Sequence, residues 1–103
     1  MPQLVWTPSA LNDVQRLYNF LKAKDTELAM LAAKTIREGV QVLSANPQLG
    51  RLFDDLDADY REWPIPFGKS GYLVLYHFNG NEVAVLAVKH QKEFEYIGHS
   101  LSS

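Results

Sequence analysis

The chain of 103 residues contains no cysteine. This absence excludes disulfide bonds, thiol catalysis and zinc sites built on cysteine, and it fits a reducing cytoplasm. No apolar run approaches the roughly 20 residues that a membrane-spanning helix needs. The first residues also lack the charged region and apolar core of a signal peptide. We therefore expect a cytoplasmic protein that does not enter a membrane.

An excess of basic residues is missing as well. Ten Lys and Arg residues stand against twelve Asp and Glu, which gives a formal net charge of -2. Proteins that bind nucleic acid usually carry a basic excess, because neutralised phosphates and released counterions supply much of the affinity. The balance argues against direct nucleic-acid binding by bulk charge, while a local basic patch stays open. The length predicts a single domain, residues 1–103.

The N-terminal part of the sequence predicts a strand that runs directly into a helix. Residues 3–6 form a short apolar run, and Thr7 and Pro8 follow it. Thr is favoured at a helix N-cap and Pro at the first helical position. Apolar residues then recur at helical spacing over residues 10–21.

A second helix follows after a very short link. Asp25 or Thr26 is its predicted N-cap, and Pro47 ends it because the residue before a proline is disfavoured in the helical region. Two helices joined in this way indicate an αα-hairpin.

The last third of the chain predicts three strands in close succession. They cover residues 60–67, 71–78 and 82–90, and Asn79-Gly80 between the last two predicts a type I′ hairpin turn. The last two strands are apolar on both faces, which is typical of strands that lie centrally in a sheet. We predict an α+β fold of order β-α-α-β-β-β with a short helix at the end. Its αα-hairpin packs on one face of a small, mostly antiparallel sheet.

The ordered set of motifs resembles the RelE/ParE superfamily of toxins from bacterial toxin–antitoxin systems, over nearly the whole chain. The resemblance rests on Trp6, on Ala10, Asp13, Leu17, Tyr18 and Leu21 of the first helix, on Pro47-Gln48-Leu49-Gly50-Arg51, on Tyr60-Arg61-Glu62, on Leu75-Tyr76, and on Val88-Lys89-His90-Gln91-Lys92-Glu93 with Tyr96. Pro64-Ile65-Pro66-Phe67-Gly68 and Gly71-Tyr72 look more like the ParE branch than RelE.

The ParE branch implies a toxin that inhibits DNA gyrase and is neutralised by a small ParD-like antitoxin from the same operon. RelE-like members instead cleave mRNA on the ribosome. An inactive remnant that only binds is the further alternative. A homodimer and a hetero-oligomer with the antitoxin both stay open, and we expect no cofactor.

Metal-free RNA cleavage needs a base, an acid and cations that hold the phosphate. The residues that could fill these roles are Glu62, His90 and Tyr96 for proton transfer and Arg61, Lys69 and Lys89 for phosphate. The resemblance to RelE-like nucleases implies an arginine in the strand that begins at Gly71-Tyr72. This chain has Leu73, Val74, Leu75 and His77 there, and leucine cannot hold a phosphate. We therefore favour binding over hydrolysis, with His90 as a strand cap or a partner of Glu93.

Two surfaces are candidates for partner contacts. Arg61 and Trp63 alternate along one strand and so share a face, either as a contact patch or as an Arg packed over an indole at the edge of the core. The full set of target-contact candidates is Arg61, Trp63, Lys89, His90, Lys92 and Tyr96. Leu28, Leu31, Thr35 and Val42 form a second apolar stripe on the second helix, which we predict to be covered by the antitoxin. His77 could pair with His90 or His99, but no close His, Asp or Glu spacing supports a metal site.

Overall fold

The computed structural model describes residues 2–53 and 59–93, which form one five-stranded sheet and two long helices. The sheet order is β1-β5-β4-β3-β2; β1 runs parallel to β5 and the other neighbours are antiparallel. The elements are β1 (Gln3–Trp6), α1 (Pro8–Lys22), α2 (Thr26–Ala45), β2 (Arg51–Leu52), β3 (Tyr60–Phe67), β4 (Ser70–Phe78) and β5 (Glu82–His90). The predicted α+β fold is confirmed, and β2 is an addition that the sequence did not predict. Residues 91–93 are helical, and the rest of the predicted C-terminal helix lies outside the described residues.

Both helices begin where the capping signals lie. The Thr7 hydroxyl accepts a hydrogen bond from the Ala10 N–H at 3.2 Å and donates one to the Val85 carbonyl at 2.7 Å, so it also ties α1 to the sheet. Asp25 accepts from the Leu28 N–H at 3.2 Å and caps α2. The side-chain oxygens thus satisfy amide groups that the first helical turn leaves without partners.

The hydrophobic core lies between the αα-hairpin and one face of the sheet. Ala29 and Ala32 are buried on the inner face of α2, and Gly39 lets the helix approach β3, because a Cβ there would lie 2.7 Å from the Ile65 side chain. The largest fully buried side chains are Tyr76, Ile36, Leu43, Val40, Val74, Val83, Val85 and Val88. β4 and β5 lie centrally in the sheet, as their apolar residues on both faces predict. On the other face, Leu73, Leu75 and His77 are half-buried.

The turn between β4 and β5 lies where Asn79-Gly80 predicts it, but the predicted type I′ geometry is wrong. Gly80 has a φ of 96°, whereas no other residue type in the described ranges has a positive φ, so Asn79 does not enter the left-handed region. The Asn79 side-chain oxygen instead accepts from the Asn81 and Glu82 N–H groups at 2.9 and 2.8 Å. This Asx-type turn spans three residues and needs only one glycine.

Candidate functional site

The end of β5 is fixed by a reciprocal pair of hydrogen bonds around His90. The His90 Nδ1 atom accepts from the Lys92 N–H at 3.1 Å, and the Glu93 carboxylate accepts from the His90 N–H at 3.1 Å. This is the pattern of a capping box, with the imidazole in the place usually taken by a serine or threonine hydroxyl. The geometry agrees with the interpretation of His90 as a strand cap beside Glu93.

The hydrogen bonds of His90 also define the protonation pattern of its neutral ring. Because Nδ1 accepts from a backbone amide, the ring hydrogen belongs on Nε2. Nε2 lies 3.0 Å from the Ser70 hydroxyl oxygen and therefore donates to it. Both ring nitrogens are occupied within the chain, so in this arrangement the imidazole activates neither Ser70 nor an outside hydroxyl.

The charged side chains near this end of the sheet are largely paired. Arg16 on α1 meets the Glu93 carboxylate at 2.9 Å. The Lys89 ammonium lies 3.2 Å from Asp13, and the same carboxylate accepts from the Val88 N–H at 2.9 Å. Exposed Lys92 and, on the turn between β3 and β4, Lys69 complete the cationic groups at this end. It therefore offers a surface of mixed charge.

Arg61 and Trp63 share a face of β3, as the strand alternation predicts, and that face is turned toward α2. The Arg61 guanidinium donates to the carbonyls of Gln48 and Gly50 at 3.0 and 2.7 Å and to Asp59 at 2.6 Å; its side chain is 12% exposed. The Trp63 indole N–H donates to the Gly39 carbonyl at 3.1 Å. The Arg61 guanidinium thus bonds oxygen atoms of the loop after α2, and the Trp63 indole bonds an oxygen atom of α2 itself. Both side chains therefore connect this part of the chain to the sheet.

The residues considered for RNA cleavage are not brought together. Glu62 lies on the opposite face of β3 and forms an ion pair with Arg51 of β2. In the register of the sheet, Arg61 of β3 lies opposite Tyr76 of β4, whereas His90 of β5 lies opposite Tyr72 of β4. Four residues of strand separate these positions by roughly 13 Å. Tyr96 and His99 lie outside the described residues.

A buried tyrosine fastens the loop that follows α2. The Tyr76 hydroxyl donates to the Pro47 carbonyl and accepts from the Gly50 N–H, each at 2.8 Å. Burial raises the pKa of Tyr76, while the Gly50 N–H and the Arg61 charge oppose the rise and the Asp59 charge adds to it. Together with Arg61, this hydroxyl holds the backbone of the loop at several points.

The apolar residues of the predicted antitoxin stripe on α2 are exposed. Leu28, Leu31 and Val42 are 38%, 54% and 43% exposed, and the half-buried Thr35 donates its hydroxyl to the Leu31 carbonyl at 2.8 Å. We call these four residues the α2 stripe. It lies away from the buried face of the helix.

The sequence did not indicate the roles of two residues in this region. Asp13 was named only as part of a motif of the first helix, yet its buried side chain accepts a hydrogen bond from β5 across 75 residues of chain. No local pattern marks such a contact. Ser70 carried no signal either, whereas the spacing of His90 and Glu93 resembles a capping box and could have indicated the helix start.

Comparison of the fold places the molecule in a known structural class. A chain of the "Chromosomal ParDE TA system from P. aeruginosa" superposes with a TM-score of 0.70, covering 87% of this chain and 96% of that chain at 21% sequence identity. At that identity the likeness shows the fold, which is RelE/ParE-like.

The sequence then identifies the family. Residues 4–93 match the family described as "ParE toxin of type II toxin-antitoxin system, parDE", and the chain belongs to that family. No curated protein sequence matches it. In the described residues no helix is long and apolar enough to cross a membrane, and no group of three or more His, Asp or Glu side chains could hold a metal ion.

Proposed function

We propose that this ParE family member acts in the cytoplasm by binding and inhibiting DNA gyrase, and that a ParD-like antitoxin neutralises it. The observation that carries the choice of binding over hydrolysis is the separation of Arg61, Glu62 and His90. These residues lie on different faces or ends of the sheet, and each is held by partners of its own chain. General acid–base cleavage needs its groups within hydrogen-bond reach of one substrate.

The position of Leu73 supports the same choice. Leu73 lies directly across from Lys89 on β5, and Lys89 is paired with Asp13. This part of the sheet therefore supplies an apolar side chain and a neutralised cation where a nuclease needs a free phosphate-binding group.

The end of β5 is the proposed gyrase contact, with His90, Lys89 and Lys92 at its centre and Tyr96 as a further candidate in the chain beyond. Trp63 is half-buried and Arg61 nearly buried. Arg61 contributes chiefly by holding the loop after α2 in place, and Trp63 by bonding the Gly39 carbonyl within α2.

The test compares two activities of the purified toxin. Stoichiometric toxin should inhibit DNA supercoiling by gyrase, and addition of the antitoxin should restore it. Toxin that leaves supercoiling unaffected but cuts ribosome-bound mRNA would refute the proposal in favour of the RelE-like function. Toxin that shows neither activity and does not arrest growth would identify an inactive binding remnant.

Two substitutions of His90 separate direct contact from local support. Asparagine is a favoured N-cap and keeps a side-chain acceptor for the Lys92 N–H, whereas alanine removes the cap, at a cost of about 1 kcal/mol. If the imidazole touches gyrase, His90→Asn and His90→Ala should both lose at least tenfold in supercoiling inhibition. Full inhibition by His90→Asn alone would show that His90 only positions the end of β5.

The α2 stripe is the proposed antitoxin contact on the side of α2 away from α1. Leu31→Ser and Val42→Ser should each weaken antitoxin binding about tenfold or more, because each removes exposed apolar area that the partner buries. Met30→Ser is the matched control, since Met30 is 59% exposed on another side of the same helix. Calorimetric affinities equal for all three variants would contradict this assignment.

A further inference from the structure

The two ring nitrogens of His90 make hydrogen bonds that respond differently to a proton. Nε2 donates to the Ser70 hydroxyl oxygen at 3.0 Å, and Nδ1 accepts from the Lys92 N–H at 3.1 Å. The imidazolium ion carries a hydrogen on both nitrogens and accepts at neither. Protonation therefore leaves the bond to Ser70 in place and sets two donors against each other at Nδ1. Only the neutral ring can cap the segment that leaves β5.

The surroundings of the ring keep it in this position. The His90 ring meets the Tyr72 ring edge-on, with 5.6 Å between the centroids and 85° between the planes. Burial raises the pKa of Tyr72 above the ordinary value of 10.0, so Tyr72 stays neutral over the pH range in which histidines titrate. A rotation that turned Nδ1 away from the Lys92 N–H would also break the contact with Ser70 or with Tyr72.

Among the described residues, the charged groups around the ring offer no replacement for the lost bond. They are Lys89 on β5, Lys92 and Glu93 beyond it, Arg16 and Asp13 on α1, and Lys69 on the turn between β3 and β4. Asp13 is bonded to β5, and Glu93 to the His90 N–H and to Arg16. An imidazolium that turned toward Glu93 would compete with Arg16 and would still leave the Lys92 N–H without its acceptor.

We propose that His90 is a proton-controlled cap, which holds the end of β5 in its target-binding form in neutral solution and opens it in mildly acidic solution. The inference rests on the proposed gyrase contact at this end of the sheet and adds a regulation of that contact. Histidine changes its charge between about pH 5 and 8, whereas the usual serine, threonine and asparagine caps do not titrate there. The expected consequence is a toxin that binds gyrase less tightly as the pH falls.

An NMR titration of the complete toxin tests the cap without gyrase. Above about pH 7.5, long-range proton–nitrogen spectra should show the hydrogen of the His90 ring on Nε2. As the pH falls, the Lys92 amide resonance should shift with the same midpoint as that ring. A neutral ring with its hydrogen on Nδ1, or a Lys92 amide that does not follow the ring, would overturn the inference.

His77 provides the matched control for this titration. It lies on β4 with its ring 4.7 Å from that of Tyr60, and no bond to the end of β5 involves it among the described residues. His77→Gln removes an imidazole from the same sheet, and the Lys92 amide should titrate as in wild type. A Lys92 response that disappears in His77→Gln would assign the effect to His77 and contradict the cap.

Gyrase binding at about pH 7.5 and 5.5 then measures the effect on the target contact. Wild-type affinity should fall about fivefold between the two values, which is the typical effect of a lost N-cap. His90→Asn keeps an acceptor that does not titrate, so the ratio of its two affinities should stay close to one, whatever its absolute affinity. Because gyrase is the same in both measurements, its own pH response cancels in this comparison. Equal ratios for wild type and His90→Asn would refute the regulation.

The outcomes separate this inference from the proposed function. Wild-type toxin that binds gyrase at neither pH value defeats the proposed function, and the Lys92 titration still decides whether His90 is a proton-controlled cap. Wild-type toxin that binds gyrase equally well at both pH values overturns the regulation and leaves the proposed function in place.

Discussion

The Tyr76 hydroxyl shows how one polar atom can hold a loop against a core. It serves the Gly50 N–H and the Pro47 carbonyl at once. We expect Tyr76→Phe to lower the free energy of unfolding by about 1–3 kcal/mol, because both backbone groups lose their partner. Tyr72→Phe is the control, since its ring is equally buried but no hydrogen bond of its hydroxyl exists among the described residues. Urea unfolding that gives the same loss for both variants would contradict this account.

The same tyrosine predicts how stability depends on alkaline pH. Burial raises its pKa in the folded state above the ordinary value of 10.0, so the unfolded chain ionises first. The folded state then holds a proton that the unfolded state has lost, and the free energy of unfolding falls as pH rises from about 10 through the folded pKa. We expect Tyr76→Phe to show a shallower decline than wild type in urea titrations above about pH 9. An unchanged slope would show that Tyr76 does not contribute.

At the scale of whole elements, Asp13 joins α1 to the part of β5 that β1 does not reach. Asp13→Ala should cost about 1–3 kcal/mol, because the Val88 N–H loses its acceptor and Lys89 its counter-charge. Asp13→Asn keeps an oxygen for Val88 and should cost less, since the Lys89 pair is partly exposed and worth little. Thermal or urea unfolding measures both. Equal losses for the two variants would assign the effect to the ion pair.

The elements that could be predicted from the sequence are those whose signals are local. Thr7-Pro8 and Asp25 mark helix starts, and Pro47 marks a helix end, because capping and proline geometry act within one turn. The signal for the position of the Asn79-Gly80 turn is local as well. The type of the turn could not be predicted from the same signal. The Asn79 side chain bonds the backbone N–H groups of the turn, so Asn79 does not need a left-handed backbone conformation.

Contacts between distant parts of the chain could not be predicted in this way. Strand order and register decide which distant residues meet. Three such contacts are the hydrogen bond from β5 to Asp13, the ion pair between Arg51 and Glu62, and the hydrogen bonds of Tyr76 to the loop after α2. The same limit applies to the candidate site. Residue types suited to RNA cleavage were present in the sequence, and only the folded sheet shows that they lie on different faces and ends.

At the scale of the whole molecule, the ion pairs and the exposed apolar side chains lie in different parts of the structure. Ion pairs involve Arg16, Arg51, Arg61 and Lys89 around the sheet, whereas large apolar side chains remain exposed along both helices. Such a distribution suits partners that are proteins, because buried apolar area drives protein association and paired charges add little attraction for a polyanion. The proposed antitoxin surface, the α2 stripe, lies on the apolar part.

This distribution predicts weak binding to nucleic acid. With a net charge of -2 and most of its arginines paired, the toxin should show no measurable retention of duplex DNA or ribosomal RNA at micromolar concentration and about 50 mM salt. Gel-shift titrations across salt concentrations measure it, and inhibition of gyrase should vary little over the same range. Lys34→Glu provides a control that makes the chain still more acidic and should leave the inhibition unchanged. Tight binding to nucleic acid that falls steeply with salt would indicate a basic contact surface and would favour the RelE-like alternative.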